Sequence, residues 1–201
     1  CSYMAIKSFK RYEKKFLITE NQYNKLIPKL LDFMNPDKYC QNNNTYSIYN
    51  IYYDTKNNDV IRHSISKPYY KEKLRLRSYK IPTSKDDKVF LELKKKINGI
   101  VSKRRLSLTL GEAYEYLYYG KKPQVKDYID NQVLKEIDYY LSKTKIYPTV
   151  FIGYERNAFF DKDNPDFRVT FDSKVLTRRN HLFLEDGNFG EDVVGTGKYL
   201  M

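Results

Sequence analysis

Lys71-Glu72-Lys73-Leu74-Arg75-Leu76-Arg77-Ser78-Tyr79 reads as a β-strand with two chemically distinct faces. With a two-residue period, Lys71, Lys73, Arg75, Arg77 and Tyr79 point one way. Leu74, Leu76 and Ser78 point the other way, with Glu72 among them. A row of like charges on one face repels itself, so an anionic or acidic group is expected to face it. Taken alone, the same pattern also suits the solvated outer face of an amphipathic strand.

Two further stretches carry the same pattern. In Val89 to Lys96, Phe90, Glu92, Lys94 and Lys96 share one face, opposite Val89, Leu91 and Leu93. In the next, Lys103, Arg105, Ser107 and Thr109 alternate with Arg104, Leu106 and Leu108. Cationic stripes on neighbouring strands are costly on an open surface, whereas around a cavity they make a site for a polyanion.

Composition agrees. The 201 residues are 41% hydrophobic and 31% charged, a globular balance in a length that suits one domain with a substantial core. The net charge of +12 calls for an anionic partner, and charge alone leaves nucleic acid, a phosphate-rich small molecule and an anionic membrane open. The 21 tyrosines fit an AT-rich genome and carry no functional weight. Cys1 and Cys40 give neither metal-ligand spacing nor a disulfide framework. No apolar run approaches the ~20 residues of a membrane-spanning helix. A cytoplasmic setting is expected.

Outward from the basic strand, Phe9 to Ile18 is expected as a first strand, with Arg11, Glu13 and Lys15 on one face. Thr19 and Gln22 make a capping box for a helix whose apolar positions are Leu26, Ile27, Leu30, Leu31 and Met34, with a kink or break expected at Pro28. A loop over 35–45 precedes a strand at Tyr46 to Asp54, a short helix at Asn58 to Ile65, and Pro68 at the opening of the basic strand. Asn98-Gly99 predicts a tight hairpin between the second and third basic strands. Thr109 and Glu112 cap a helix ending at Gly120, and a second helix runs from about Asp130 to Ser142. Strands resume at Thr149 to Phe159 and at Phe167 to Val175; Lys198 to Met201 reads as a strand cut short. Alternating strands with one charged face predict a closed antiparallel barrel with a polar interior.

A barrel lined by Lys15, Arg75, Arg77, Lys94, Lys103, Arg156 and Arg168 would bind condensed phosphate, arginine forks matching the oxygens and lysines acting as point charges. The same walls carry Glu13, Glu92 and Asp172; Glu13 and Glu92, two positions from Lys15 and Lys94, either hold Mg²⁺ or Mn²⁺ beside the phosphates or neutralise their lysine neighbours. There is no P-loop and no nucleophile elbow, and His63 and His181 stand alone, so nothing points to covalent catalysis.

These residues resemble the triphosphate tunnel metalloenzymes, and within them the polyphosphate polymerase domain first recognised in the vacuolar transporter chaperone complex. The resemblance rests on Arg11-Tyr12-Glu13-Lys14-Lys15-Phe16, Tyr52-Tyr53-Asp54-Thr55, Lys73 to Tyr79, Phe90 to Lys95, Lys103-Arg104-Arg105, Tyr154 to Phe159 and Arg168 to Asp172, in family order. It implies an α+β fold built on a closed antiparallel eight-stranded β-tunnel, with helices packed outside. It also implies that the γ-phosphate of ATP is transferred to a growing polyphosphate chain in the presence of Mn²⁺ or Mg²⁺. Pyrophosphate or orthophosphate are further expected ligands. By the same resemblance Arg75, Arg77, Lys94 and Arg156 carry the transfer, Lys15, Lys103, Arg105 and Arg168 hold phosphate, and Glu13 and Glu92 are candidate metal ligands.

Residues 1–201 are expected as a single domain of this type lacking its last strand and C-terminal segment, because the family's main metal-holding glutamate would come just after Met201. In sister branches water attacks instead, so a tripolyphosphate or nucleoside triphosphate hydrolase and a non-catalytic polyphosphate-binding module stay open. A membrane partner, with the domain at the inner face of that membrane, belongs to the same set of expectations. A nucleic-acid partner is not expected, since the stripes alternate toward one interior rather than forming an outer basic and aromatic surface.

Overall fold

The computed structural model describes residues 12–66 and 69–201. The expectations for Cys1, Phe9 to Arg11 and Pro68 fall outside them. Along the chain the elements are β1 (Leu17–Thr19), α1 (Glu20–Phe33), β2 (Met34–Pro36), β3 (Tyr46–Asp54), α2 (Asp59–Ile65), β4 (Tyr70–Ser78) and β5 (Lys88–Ile97). They continue with β6 (Ile100–Thr109), α3 (Leu110–Tyr119), α4 (Tyr128–Lys143), β7 (Tyr147–Asp161), β8 (Arg168–Arg178), β9 (Glu191–Asp192) and β10 (Lys198–Leu200). The chain forms two compact units.

The first unit contains residues 12–14, 52–76 and 88–149, and its strands follow the order β3-β4-β5-β6. β5 and β6 pair antiparallel without interruption from Lys88↔Thr109 to Ile97↔Ile100. Asn98 and Gly99 close this hairpin with φ of 47° and 80°, the two left-handed positions that an Asn-Gly turn supplies most easily. The apolar parity of the sequence is the core: Leu74, Leu76, Val89, Leu91, Leu93, Leu106 and Leu108 are all buried. Burial of such a side chain contributes about 2 kcal/mol. α3 and α4 lie over β5 and β6 and bury Ala113, Tyr116, Val133, Leu134 and Ile137. Both helices start at side-chain caps. Thr109 and Glu112 complete a reciprocal capping box on α3, and Asp127 accepts from the Ile129 and Asp130 amides on α4. α3 ends at Gly120, whose φ of 70° turns the chain away.

The second unit contains residues 15–51, 77–87 and 150–201, with strand order β1-β10-β8-β7-β3 and with β2 on β7 and β9 on β8. α1 buries Tyr23 against Met34, Phe159 and Phe171, with Leu26, Ile27 and Leu30 packed around them. The Tyr23 ring stacks on Tyr199 at 3.9 Å between centroids. Pro28 does not break α1, which runs through it with the expected Thr19–Gln22 capping box at its start. β7 and β8 are longer than the sequence predicts and place Arg156 opposite Asp172.

Two further expectations are corrected. Among the described residues the first strand is Leu17–Thr19, extended by one residue where Phe16 and Met201 exchange main-chain hydrogen bonds; residues 12–15 are not assigned to a strand, so strand parity does not orient Glu13 or Lys15. Among the described residues the sheet does not close: its ladder ends at β1 and at β6, each hydrogen-bonded to a single neighbour, whereas a barrel needs every strand paired on both edges. No helix among the described residues is long and apolar enough to cross a membrane.

Candidate functional site

In the first unit one carboxylate organises the cationic face. Glu92 lies on β5, fully buried, because its neighbours Leu91 and Leu93 carry β5 into the core while cations from adjoining strands close over its own face. Its Oε1 accepts from Arg75 Nε of β4 at 3.2 Å. Its Oε2 accepts from Arg105 Nε and pairs with Lys103 Nζ, both of β6 and both at 3.1 Å. Arg105 stands directly opposite Glu92 in the β5–β6 register, and Lys94 stands opposite Lys103. Arg75 also donates from Nη1 to the Tyr52 hydroxyl at 3.1 Å, and the Arg105 guanidinium lies 4.4 Å from the Phe90 ring centre.

One negative charge among Arg75, Lys103 and Arg105 leaves this face strongly positive. Burial, with help from Arg105 and Arg75, pushes the Lys103 pKa down to about 8 against the opposing pull of Glu92. Lys94 pairs with Glu13 at 3.2 Å, but Glu13 is exposed and Lys94 partly so, and the pair is worth under ~1 kcal/mol.

In the second unit the cations do not share one carboxylate. Arg156 makes a two-point contact to Asp172, Nε to Oδ1 at 2.7 Å and Nη2 to Oδ2 at 2.9 Å. Burial alone would lower the Arg156 pKa; the Asp172 hydrogen bonds and charge outweigh it and raise it. Arg77 is buried and donates from Nε to Asn50 Oδ1 at 2.7 Å and from Nη2 to the Tyr154 hydroxyl at 3.0 Å. The Tyr154 ring in turn lies 5.3 Å from the Arg156 guanidinium. Arg168 reaches Asp37 at 3.4 Å and covers the Phe160 ring. Lys15 is exposed, in the segment that has no ladder.

Arg75, Glu92, Lys103 and Arg105 thus form one cluster, and Arg77, Arg156 and Asp172 are gathered around Tyr154 in another. The sequence also offered cations that turn out to be structural. Lys95 and Arg104, on the opposite parity, both pair with Glu136 of α4 at 3.2 Å and hold that helix on the sheet. Arg178 is buried and donates to the carbonyls of His181, Phe183, Gly187 and Phe189, pinning the segment after β8. Asp54 of the Tyr52-Tyr53-Asp54-Thr55 motif accepts from the Thr55, Val60 and Ile61 amides and so anchors the start of α2. Asn50, Tyr52 and Tyr154 were not singled out by charge. Their signal in the sequence is polarity at alternate positions of β3 and the place of Tyr154 two residues before Arg156.

The described carboxylates do not suit a resident metal. Both Glu92 oxygens are taken by cations, Glu13 is exposed and paired with Lys94, and no three His, Cys, Asp or Glu side chains among the described residues gather as ligands. A divalent ion at Glu92 would sit against three like charges.

Comparison with known proteins places these motifs in context. The family profile of the VTC domain matches residues 10–201. No curated protein matches. Among solved structures, a Bacillus halodurans protein described as a putative adenylate cyclase is similar over 80% of this chain and 71% of its own, with 14% identity and a TM-score of 0.45.

Proposed function

The chain belongs to the VTC domain family, and on that premise we propose that it binds condensed phosphate and transfers the γ-phosphoryl group of ATP to a polyphosphate chain. The observation that carries this reading is the Glu92 cluster, in which a single buried carboxylate holds Arg75, Lys103 and Arg105 from two strands. So much unbalanced positive charge on one face is costly without an anion, and guanidinium forks suit phosphate oxygens. The aromatic rings at these positions, Tyr52, Phe90 and Tyr154, lie under guanidinium groups instead of forming a platform for bases, which favours phosphate over nucleic acid.

In this reading a terminal oxygen of the acceptor chain forms a bond to the γ-phosphorus. The bond from that phosphorus to the β–γ bridging oxygen breaks, and ADP leaves with the electron pair. The acceptor terminus is already ionised, so no general base is required; the protein supplies position and charge. In the first unit Arg75 and Lys94 are assigned to the transfer, and Lys103 and Arg105 to holding phosphate. In the second, Arg77 and Arg156 are assigned to the transfer, and Arg168 and Lys15 to holding phosphate, whether of ATP, polyphosphate, pyrophosphate or orthophosphate. Glu92 and Asp172 are counter-charges that fix the arginines. Mg²⁺ or Mn²⁺ is assigned to the nucleotide's phosphates as part of the substrate, where such ions keep several waters and need few protein ligands.

The test is incubation of the full-length protein with ATP and Mn²⁺. Acid-labile chains that lengthen with time while ADP accumulates support the transferase. A folded protein that yields only orthophosphate from ATP or tripolyphosphate is a hydrolase, and the transferase reading fails.

A further inference from the structure

We propose that Asn50 is a positioning residue that sets the Arg77 guanidinium for phosphate while adding no negative charge of its own; this rests on the assignment of Arg77 to phosphate. Asn50 is fully buried in β3. Its amide has one acceptor oxygen and an NH₂ donor, and both ends are used. Nδ2 donates to the Ile152 carbonyl at 3.0 Å, which leaves Oδ1 to accept from Arg77 Nε at 2.7 Å. The main-chain carbonyl of β7 therefore dictates which way round the amide sits. Arg77 is held on a second side by the Tyr154 hydroxyl at 3.0 Å. With two of its donors fixed in different directions, the planar guanidinium has little freedom to rotate.

Arg156 shows the other solution to the same problem. Its anchor is Asp172, whose charge offsets the guanidinium it orients. Asn50 gives Arg77 an equally short contact from a neutral oxygen, so that contact leaves the local field positive. Aspartate at position 50 would accept from Arg77 at least as strongly. It would lose the bond to the Ile152 carbonyl and add the negative charge that asparagine withholds.

The experiment is calorimetric titration of the intact chain with tripolyphosphate, using Asn50→Ala, Arg77→Ala and the double variant, with Asn50→Ser in place of Asn50→Ala where the latter does not fold. The expected result is a roughly tenfold loss of affinity from the Asn50 change alone and no added loss when Arg77 is already alanine, because coupled residues are non-additive. The same loss in both backgrounds marks a merely structural residue and overturns the proposal, as does unchanged affinity. Asn50→Asp should bind more weakly than wild type and give a shallower dependence of log affinity on log salt. A slope equal to that of wild type overturns the charge part. Wild-type protein that does not take up tripolyphosphate refutes the phosphate reading itself, and this inference with it, and is distinguished from the other outcomes by the first titration.

Discussion

Arg156 and Asp172 face each other across the β7–β8 ladder and share two parallel hydrogen bonds, at 2.7 and 2.9 Å. Such a fork fixes the plane of the guanidinium as well as its position. Arg156→Ala is expected to cost stability, since Asp172 is 8% exposed and would lose its partner. The loss should be about 2 kcal/mol, below the value for a wholly buried pair. Tripolyphosphate affinity should fall with it. Arg156→Lys should restore charge but not the fork, and recover only part of the affinity. Urea unfolding and calorimetry measure the two effects separately; full affinity in Arg156→Lys would show that the fork is unimportant.

Glu92→Gln keeps the shape of the side chain and removes the charge shared by Arg75, Lys103 and Arg105. At low salt the variant should lose about 3 kcal/mol, because three cations are left together around a neutral group. Tripolyphosphate or sulfate should restore a larger share of stability to the variant than to the wild type, the anion standing in for the missing carboxylate. Unfolding curves with and without the anion test this. A variant as stable as wild type without any anion would remove Glu92 from its organising place.

Lys103 makes the cluster sensitive to pH. Its pKa is about 8 in the folded chain against 10.5 for a free lysine, so between those values the unfolded chain binds more protons. Stability contributed through Lys103 therefore rises with pH across that window, and the full penalty is present below pH 8. Its side chain is 41% exposed, so solvent softens the effect. The stability of wild type relative to Lys103→Met is expected to increase from pH 8 to 10.5. Tripolyphosphate affinity of the wild type should decline over the same range as the ammonium loses its proton, with a smaller decline in Lys103→Met. Parallel pH profiles for the two proteins would contradict this.

Arg178 supplies the contrasting case. It donates to four main-chain carbonyls and lies 3.7 Å from the Phe151 ring centre and 4.1 Å from that of Phe189. Arg178→Ala should loosen residues 179–190 and cost about 3 kcal/mol through the loss of four hydrogen bonds and of the buried guanidinium's packing on Phe151. Faster proteolysis in that segment, with tripolyphosphate affinity of the surviving folded protein close to wild type, is the expected result. A loss of affinity out of proportion to the loss of stability would place Arg178 among the ligand-holding residues.

Much of the fold is legible in the sequence because its signals are local. The alternation around Leu74 and Leu76, the capping boxes at Thr19 and Thr109, and the Asn98-Gly99 hairpin each depend on residues a few positions apart. Closure of the sheet is not local, and the expected barrel is not what the ladder shows. The cationic stripes were visible as charge, but their internal partners were not. Whether a lysine on a strand meets a ligand or a helix depends on what packs against it, as Lys95 and Arg104 show through Glu136. For Glu92 the sequence leaves a metal ligand and a counter-charge both open, and its contacts to Arg75, Lys103 and Arg105 are those of a counter-charge. Asn50 carries no charge, so its only signal in the sequence is a polar position on β3, and its role depends on two hydrogen bonds to distant residues.

The central claim is that this chain is built to hold condensed phosphate, and the shift of its melting temperature by matched anions tests that most directly. Any ligand that binds the native state selectively stabilises it, by about 2.7 kcal/mol at a hundredfold excess over the dissociation constant. Tripolyphosphate is predicted to raise the melting temperature by several degrees, and far more than a single-stranded oligonucleotide supplying the same concentration of charge. Arg75→Ala and Arg156→Ala should each abolish most of that rise. An oligonucleotide that stabilises the chain as much as tripolyphosphate does, or a tripolyphosphate shift that survives both substitutions, would contradict the account.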